Sequence, residues 1–183
     1  GLGYNPVQNR IYVAAYEEAS ILVLRDSAGG PTYGWLERQP LPAPPTNKPV
    51  KDGGWLAFDR SSGTVYGSKG NKTLELYGYG IAGNSWRILA PMPFGPSMKT
   101  QHKGAAACSD GSGLVYATRG NNTTEFFCYV AARDSWCRLA DVESSGATSR
   151  LVACRTDGNW QVMIAAFTGL PDGTGTDIYR TAS

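Results

Sequence analysis

The sequence predicts an all-β fold built from repeated antiparallel sheets. Two segments, 54–66 and 104–116, share nearly the same pattern of residues, and both end in Val-Tyr. Trp86 and Trp136 recur at the same spacing of about 50 residues, with no insertion between the copies. The chain also has 23 glycines and 11 prolines, a composition typical of many short strands joined by tight turns. Each copy is therefore expected to form one small sheet.

The N-terminal segment fits the same template when Tyr12 is aligned with Tyr66. Residues 21–24 would form its third strand, and Trp35 would begin its fourth. The following residues, 43–53, are interrupted by prolines and cannot form a central strand. They are expected to connect one sheet to the next.

The middle of the chain carries the clearest copies. In the second copy we expect four strands, at about 54–59, 64–68, 73–79 and 85–90. Its third strand does not alternate cleanly between apolar and polar residues, which is typical of a sheet covered on both faces. The last copy is degenerate: strands are expected at 161–167 and 177–180, and the sequence stops before a fourth strand. The predicted units are residues 1–42, 53–93, 103–142 and 150–183.

The repeats resemble the kelch family, and within it the blades of bacterial type. The matching motifs are Gly53-Gly54, Phe58-Asp59, Val65-Tyr66, Lys69-Gly70-Asn71, Trp86-Arg87-Ile88-Leu89 and, in the next copy, Arg119-Gly120-Asn121. The likeness is strong over 53–142, moderate over 1–42 and weak after 150. It implies a kelch-type β-propeller of about four blades, each with four antiparallel strands, the last incomplete, forming a partial or open arc. The family implies little about activity, because the scaffold serves enzymes, adaptors and adhesins.

Catalytic and metal-binding chemistry is thinly represented. The copper-radical oxidases of this fold need two histidines, and the chain has only His102. Glu75 and Glu125 occupy equivalent places in separate copies, so a structural role is favoured over acid–base catalysis. We therefore expect no catalytic residues, no metal site and no cofactor.

Charge, hydropathy and cysteines suggest where the protein acts. A net charge of +2 with 17% charged residues does not favour nucleic acid as a partner, and no apolar run approaches the length that spans a bilayer. Cys128 and Cys137 flank a four-residue hairpin loop at facing positions, which predicts a disulfide. Asn-x-Thr triplets begin at Asn71, Asn121 and Asn122. Together these features predict a secreted or cell-surface protein.

The sequence therefore predicts a non-catalytic extracellular module for binding or structure. Its expected partners are other protein subunits, further blades of the same polypeptide, or glycans. Two alternatives stay open: a fragment of a sugar-oxidase or glycan-acting propeller enzyme with its catalytic residues elsewhere, and a cytoplasmic adaptor. The predicted contacts lie at one end of the sheets, on Lys69, Asn71, Arg119, Asn121 and His102. For Lys69 and Arg119, packing across a tryptophan or tyrosine of a neighbouring blade is favoured over contact with a ligand.

Overall fold

The chain forms antiparallel sheets from consecutive strands, as the sequence predicts. The structure, a computed structural model, describes residues 38–142 with their side chains, and otherwise describes the backbone pairing of the strands within 2–38 and 148–180. The first sheet contains β1 (Leu2–Asn5), β2 (Arg10–Ala14), β3 (Ile21–Ser27) and β4 (Gly30–Arg38). The second contains β5 (Trp55–Asp59), β6 (Thr64–Ser68), β7 (Leu76–Gly80) and β8 (Ser85–Leu89).

Two further sheets follow in the same manner. The third contains β9 (Ala106–Ser109), β10 (Leu114–Thr118), β11 (Phe126–Val130) and β12 (Ser135–Arg138), with a single 3-10 turn at Ala131–Arg133. The fourth contains β13 (Thr148–Thr156), β14 (Asn159–Phe167) and β15 (Thr176–Arg180). No α-helix occurs in the described residues, and none of them forms a helix suited to crossing a membrane. The all-β prediction is confirmed.

The strand boundaries differ from the sequence prediction at the third strand of the second sheet. This strand begins at Leu76, not at residue 73, because the chain makes a tight turn first. Gly70, Asn71 and Lys72 have positive φ angles of 61°, 46° and 58°, and three successive left-handed residues are incompatible with regular strand pairing. The fourth sheet begins at Thr148, before the expected residue 150.

The second sheet is covered on both faces. Leu56, Val65 and Tyr77 belong to one apolar cluster, which also contains Leu41 and Val50 from the preceding connection. The other face contributes a second cluster shared with the third sheet; its members include Trp55, Tyr66, Leu76, Val115, Phe127 and Tyr129. Strand β5 lies beside β1 and beside β9, and β9 lies beside β13. Stacked sheets of this kind explain why the third strands show no clean alternation.

A buried carboxylate joins the second and third sheets. Asp59 is fully buried and accepts hydrogen bonds from Ser61 and Ser62 of its own sheet. It also accepts bonds from the Ser109 hydroxyl and the Gly113 amide of the next sheet, both at 2.9 Å. Burial alone would raise the pKa of Asp59, but these donors outweigh it and lower the pKa below 3.8. The sheets are thus connected by polar contacts as well as apolar ones.

The tryptophans of the outer strands hold each sheet to the one before it. The Trp86 indole N–H donates to the Gln39 carbonyl at 2.8 Å, and the Trp136 N–H donates to the Ala90 carbonyl at 2.9 Å. Both rings pack against a tyrosine, with centroids 5.0 Å apart for Tyr79 and Trp86. Each of these two indoles therefore packs within its own sheet and is bonded to the residues that follow the preceding sheet. The side chain of Trp35 lies outside the described residues.

The predicted disulfide is not formed. Cys128 and Cys137 face each other across β11 and β12, so the predicted register is confirmed. Both are nevertheless free thiols, with Cys128 buried and Cys137 exposed. Facing positions do not suffice for a disulfide, because the bond also needs a sulfur separation of about 2.05 Å and a dihedral angle near 90°. Burial raises the pKa of the Cys128 thiol to about 11, so this group is protonated at neutral pH.

Candidate functional site

The residues predicted to bind a ligand cluster around two long connections between sheets. The first connection, residues 39–54, runs from β4 to β5, and the second, residues 90–105, runs from β8 to β9. Each lies against the turn that precedes the third strand of the following sheet, at 69–73 or 119–123. These two connections and two turns form one end of the described part of the molecule.

A buried ion pair fixes the first connection. The Lys69 ammonium lies 3.3 Å from Glu75 Oε2, and both side chains are almost inaccessible to solvent. Lys69 Nζ donates to the Ala43 carbonyl at 2.7 Å, and Glu75 Oε1 accepts a bond from the Thr46 amide at 2.7 Å. The ammonium also lies 5.0 Å from the centre of the Tyr77 ring. The pair thus holds the connection by its backbone.

The second connection is fixed in the same way by a different cation. Arg119 is fully buried and donates through Nε to Glu125. Its two terminal nitrogens donate to the Pro93 and Lys99 carbonyls, each at 2.6 Å. Glu125 Oε1 accepts a bond from the Ser97 amide at 2.8 Å. The guanidinium carbon lies 4.7 Å from the centre of the Phe127 ring.

The electrostatics of both pairs keep the carboxylates ionised. Burial alone would raise the pKa of Glu75 and Glu125. Hydrogen bonds from Thr46 and Ser97 and the neighbouring cations outweigh burial, so both pKa values lie below the ordinary 4.5. For Lys69, burial is the larger effect and lowers the pKa, although Glu75 partly opposes it. Each glutamate therefore remains a charged acceptor at neutral pH.

The two asparagines of the predicted site shape the turns. Asn71 donates through its side-chain amide to the Pro49 carbonyl at 3.0 Å, and Asn121 donates to the Thr100 carbonyl at 3.1 Å. A Cβ on the glycine before Asn71, Gly70, would lie 2.4 Å from backbone atoms of the first connection, so only glycine fits there. The repeated Gly-Asn-x-Thr motif is therefore explained by contacts between turn and connection.

His102 is the last of the predicted ligand residues. It is partly exposed, and its Nε2 lies 3.4 Å from a carboxylate oxygen of Asp52. Its backbone carbonyl lies against Gly53, where an added Cβ would approach within 2.0 Å. Among the residues with described side chains, no group of three or more His, Cys, Asp and Glu could hold a metal ion.

The structure thus brings all five predicted residues to one end, but it does not expose them equally. Lys69 and Arg119 are 2% and 0% exposed, so the interpretation of these two cations as surface ligand contacts is corrected. They pack on aromatic rings of their own sheet, whereas the sequence predicted rings of a neighbouring sheet.

No protein-family model matches this sequence, and no curated protein matches it.

Other residues at this end do reach solvent. Four lysines, which we call the lysine end, have exposed side chains: Lys48, Lys72, Lys99 and Lys103. Lys99 Nζ contacts the Asn121 carbonyl at 3.1 Å, and the amide of Lys72 donates to the carbonyl of Gln101 at 2.9 Å. These contacts connect both turns to the second connection.

Sequence reasoning also missed two apolar side chains on the second connection. Phe94 and Met98 are 53% and 68% exposed. A signal was present in the sequence, because aligning Pro40 and Pro42 with Pro91 and Pro93 shows that the first connection has no aromatic residue or methionine.

Proposed function

We propose that the sheets stack as blades of a kelch-type β-propeller, and that this propeller is a non-catalytic module for binding other proteins or glycans. The blade interpretation is supported by the second sheet, which is buried on both faces, and by β5, which lies between β1 and β9. Short first strands that adjoin one another are typical of the centre of a propeller.

One observation carries the binding function: buried ion pairs fix both connections, and the lysine end lies on the surface they support. Loops on a rigid scaffold lose little conformational freedom when a partner binds, so they are favourable binding elements. The carboxylates that could neutralise this end, Glu75 and Glu125, are already paired inside the protein. The exposed ammonium groups suit an acidic protein or an anionic glycan.

We also propose that the module acts outside the cell, within a larger assembly of subunits or further blades. This proposal now rests on the Asn-x-Thr triplets, since Cys128 and Cys137 are free thiols. Mass spectrometry of the protein purified from its natural source tests it: a glycan on Asn122, which is exposed, is the expected result.

A charge-reversal experiment tests the binding function. Lys72→Glu and Lys103→Glu together would reverse charge at the lysine end without touching the buried ion pairs. The control is Arg60→Glu with Arg133→Glu, two exposed arginines in loops at the opposite end of the sheets. Binding would be measured with an acidic peptide, an anionic polysaccharide and a neutral polysaccharide. We expect the lysine variant, and not the control, to weaken binding of an anionic probe by about tenfold or more. Failure of all three probes to bind the unmodified protein would refute the proposal.

A further inference from the structure

The exposed apolar residues of the second connection are not explained by the fold. Its backbone is held by Arg119 and Glu125 through the Pro93, Lys99 and Ser97 backbone groups. None of these contacts involves the side chains of Phe94 or Met98. Large apolar side chains exposed to this extent are a common feature of interaction sites when they occur together.

The first connection serves as an internal comparison. Equivalent contacts align the two: Gln39 with Ala90 as acceptors for tryptophan, Thr46 with Ser97 as donors to glutamate, and Lys48 with Lys99 on the turn carbonyls. In this alignment Phe94 corresponds to Ala43, and Met98 corresponds to Asn47. The same connection is therefore built in one copy with a small residue and a polar one, so the fold does not require Phe94 or Met98.

Met98 also occupies a position that its side chain disfavours. Its φ angle is 53°, close to the 56° of Asn47. The Met98 amide donates to the Gly95 carbonyl at 2.9 Å, which closes the turn that holds this conformation. Asparagine tolerates the left-handed region and methionine rarely adopts it, so Met98 costs folding free energy. A strained residue that is exposed indicates a role in function and not in stability.

We infer that Phe94 and Met98 are the apolar contacts of a docking site for an acidic segment of a partner protein. This inference rests on the proposed function, and it names the partner's chemistry: apolar side chains for Phe94 and Met98, and carboxylates for the adjacent Lys99 and the rest of the lysine end. Aromatic residues and methionine are enriched in the cores of protein interfaces, and lysines at the rim steer an acidic partner.

A second copy of the chain fits this surface less well. A symmetric contact through the same surface would place the lysine end of one copy against that of the other. A membrane is also a poorer occupant, because two apolar side chains bury little area compared with the apolar face of an interfacial helix. An acidic protein segment satisfies both the apolar and the cationic groups.

The test uses a fluorescein-labelled peptide of alternating aspartate and leucine, with fluorescence anisotropy as the measurement. The main variant combines Phe94→Ala with Met98→Asn, which gives the second connection the residues of the first. We expect the peptide to bind the unmodified protein and to bind this variant about tenfold more weakly or worse. Ile88→Ala is the matched control, because Ile88 is 56% exposed on β8, outside both connections, and its loss should leave binding unchanged.

A stability measurement separates this result from unfolding. Met98→Asn alone should leave the urea midpoint unchanged or raise it, while peptide binding weakens. If Met98 were purely structural, the urea midpoint and the peptide affinity would fall together. Equal binding by the unmodified protein and the double variant would overturn the inference. If Lys72→Glu with Lys103→Glu still abolished binding of an anionic probe, the proposed function would nevertheless stand.

Absence of peptide binding would also overturn the inference of a docking site, and Phe94-dependent binding to phosphatidylserine vesicles in its place would identify a membrane as the occupant. Phe94-dependent dimers in sedimentation would overturn the inference as well, because a second copy would then be the occupant. Peptides with lysine in place of aspartate, or serine in place of leucine, should bind more weakly, since each lacks one half of the recognised chemistry.

Discussion

The two buried ion pairs predict that the residues at 119 and 127 are energetically coupled. In the first connection, two backbone carbonyls accept hydrogen bonds from two different side chains. Lys69 donates to the Ala43 carbonyl, and the Tyr77 hydroxyl lies 2.7 Å from the Pro44 carbonyl. The same hydroxyl lies 2.9 Å from Glu75 Oε2, so its one proton is shared between the carbonyl and the carboxylate.

In the second connection the arginine makes both contacts. Arg119 donates to Pro93 and Lys99 from separate nitrogens while its Nε remains on Glu125. The residue equivalent to Tyr77 is Phe127, which has no hydroxyl. Arginine with phenylalanine and lysine with tyrosine thus each hold two carbonyls of a connection, although the carbonyls lie at different positions in the two connections.

The perturbation is Arg119→Lys, Phe127→Tyr, and both together. Arg119→Lys removes the donor from one partly buried carbonyl, which should cost about 1–3 kcal/mol. Phe127→Tyr alone buries a hydroxyl beside a site that the guanidinium already fills, at a similar cost of about 1–3 kcal/mol. In the double variant the new hydroxyl can donate to Glu125 Oε2, which the guanidinium no longer fills, as the Tyr77 hydroxyl does to Glu75 Oε2 at 2.9 Å beside Lys69. The double cost should therefore be smaller than the sum of the single costs by about 1–2 kcal/mol.

Urea denaturation followed by tryptophan fluorescence provides the four free energies of unfolding. Arg138→Lys is the control, because Arg138 forms an exposed pair with Asp141 and should change stability by less than about 1 kcal/mol. If the two single costs add to within about 0.5 kcal/mol in the double variant, the coupling does not exist and the reasoning is refuted.

Three further predictions follow from the buried groups. Asp59→Asn should destabilise by about 2–4 kcal/mol, because an amide nitrogen would face donors from both sheets; Asp110→Asn, whose bonds stay within one turn, should cost less than about 1 kcal/mol. Equal urea midpoints for these two variants would contradict the bridging role. Four carboxyl pKa values are lowered in the folded protein, those of Asp59, Glu75, Glu125 and Asp134. Their contribution to the free energy of unfolding should therefore be fully present above the ordinary pKa values of 3.8 and 4.5 and should be lost as the pH falls below them. A urea midpoint that stayed constant from neutral pH into this acid range would disagree with that sign. Iodoacetamide should label Cys137 quickly and Cys128 only after unfolding, and rapid labelling of both, read by mass spectrometry, would show that Cys128 is accessible.

The repeated pattern was sufficient to predict most of the strands. Trp86 and Trp136 identify equivalent outer strands because an indole that recurs at a fixed period has an equivalent partner in each copy. The facing of Cys128 and Cys137 followed from the length of their hairpin loop. Whether two sulfurs bond depends on side-chain geometry, which the register does not determine.

The direction of the predicted site residues could not be obtained from the pattern. Lys69 and Arg119 directly follow strands β6 and β10 and precede a left-handed turn, and the turn decides whether each side chain points outward or beneath the connection. A cation followed by Gly-Asn is compatible with both. The structure resolves the choice because a glutamate six residues later, Glu75 or Glu125, is buried at the same place.

The overall charge conceals how charge is distributed. A net charge of +2 indicates no strong field, and on that ground the sequence does not favour nucleic acid as a partner. At the lysine end, however, Glu75 and Glu125 are buried in ion pairs, while the four lysines remain on the surface. The other carboxylates described there, Asp52 and Asp141, face His102 and Arg138. Burial therefore creates a local positive surface from a nearly neutral composition, and an acidic partner would respond to that surface and not to the net charge.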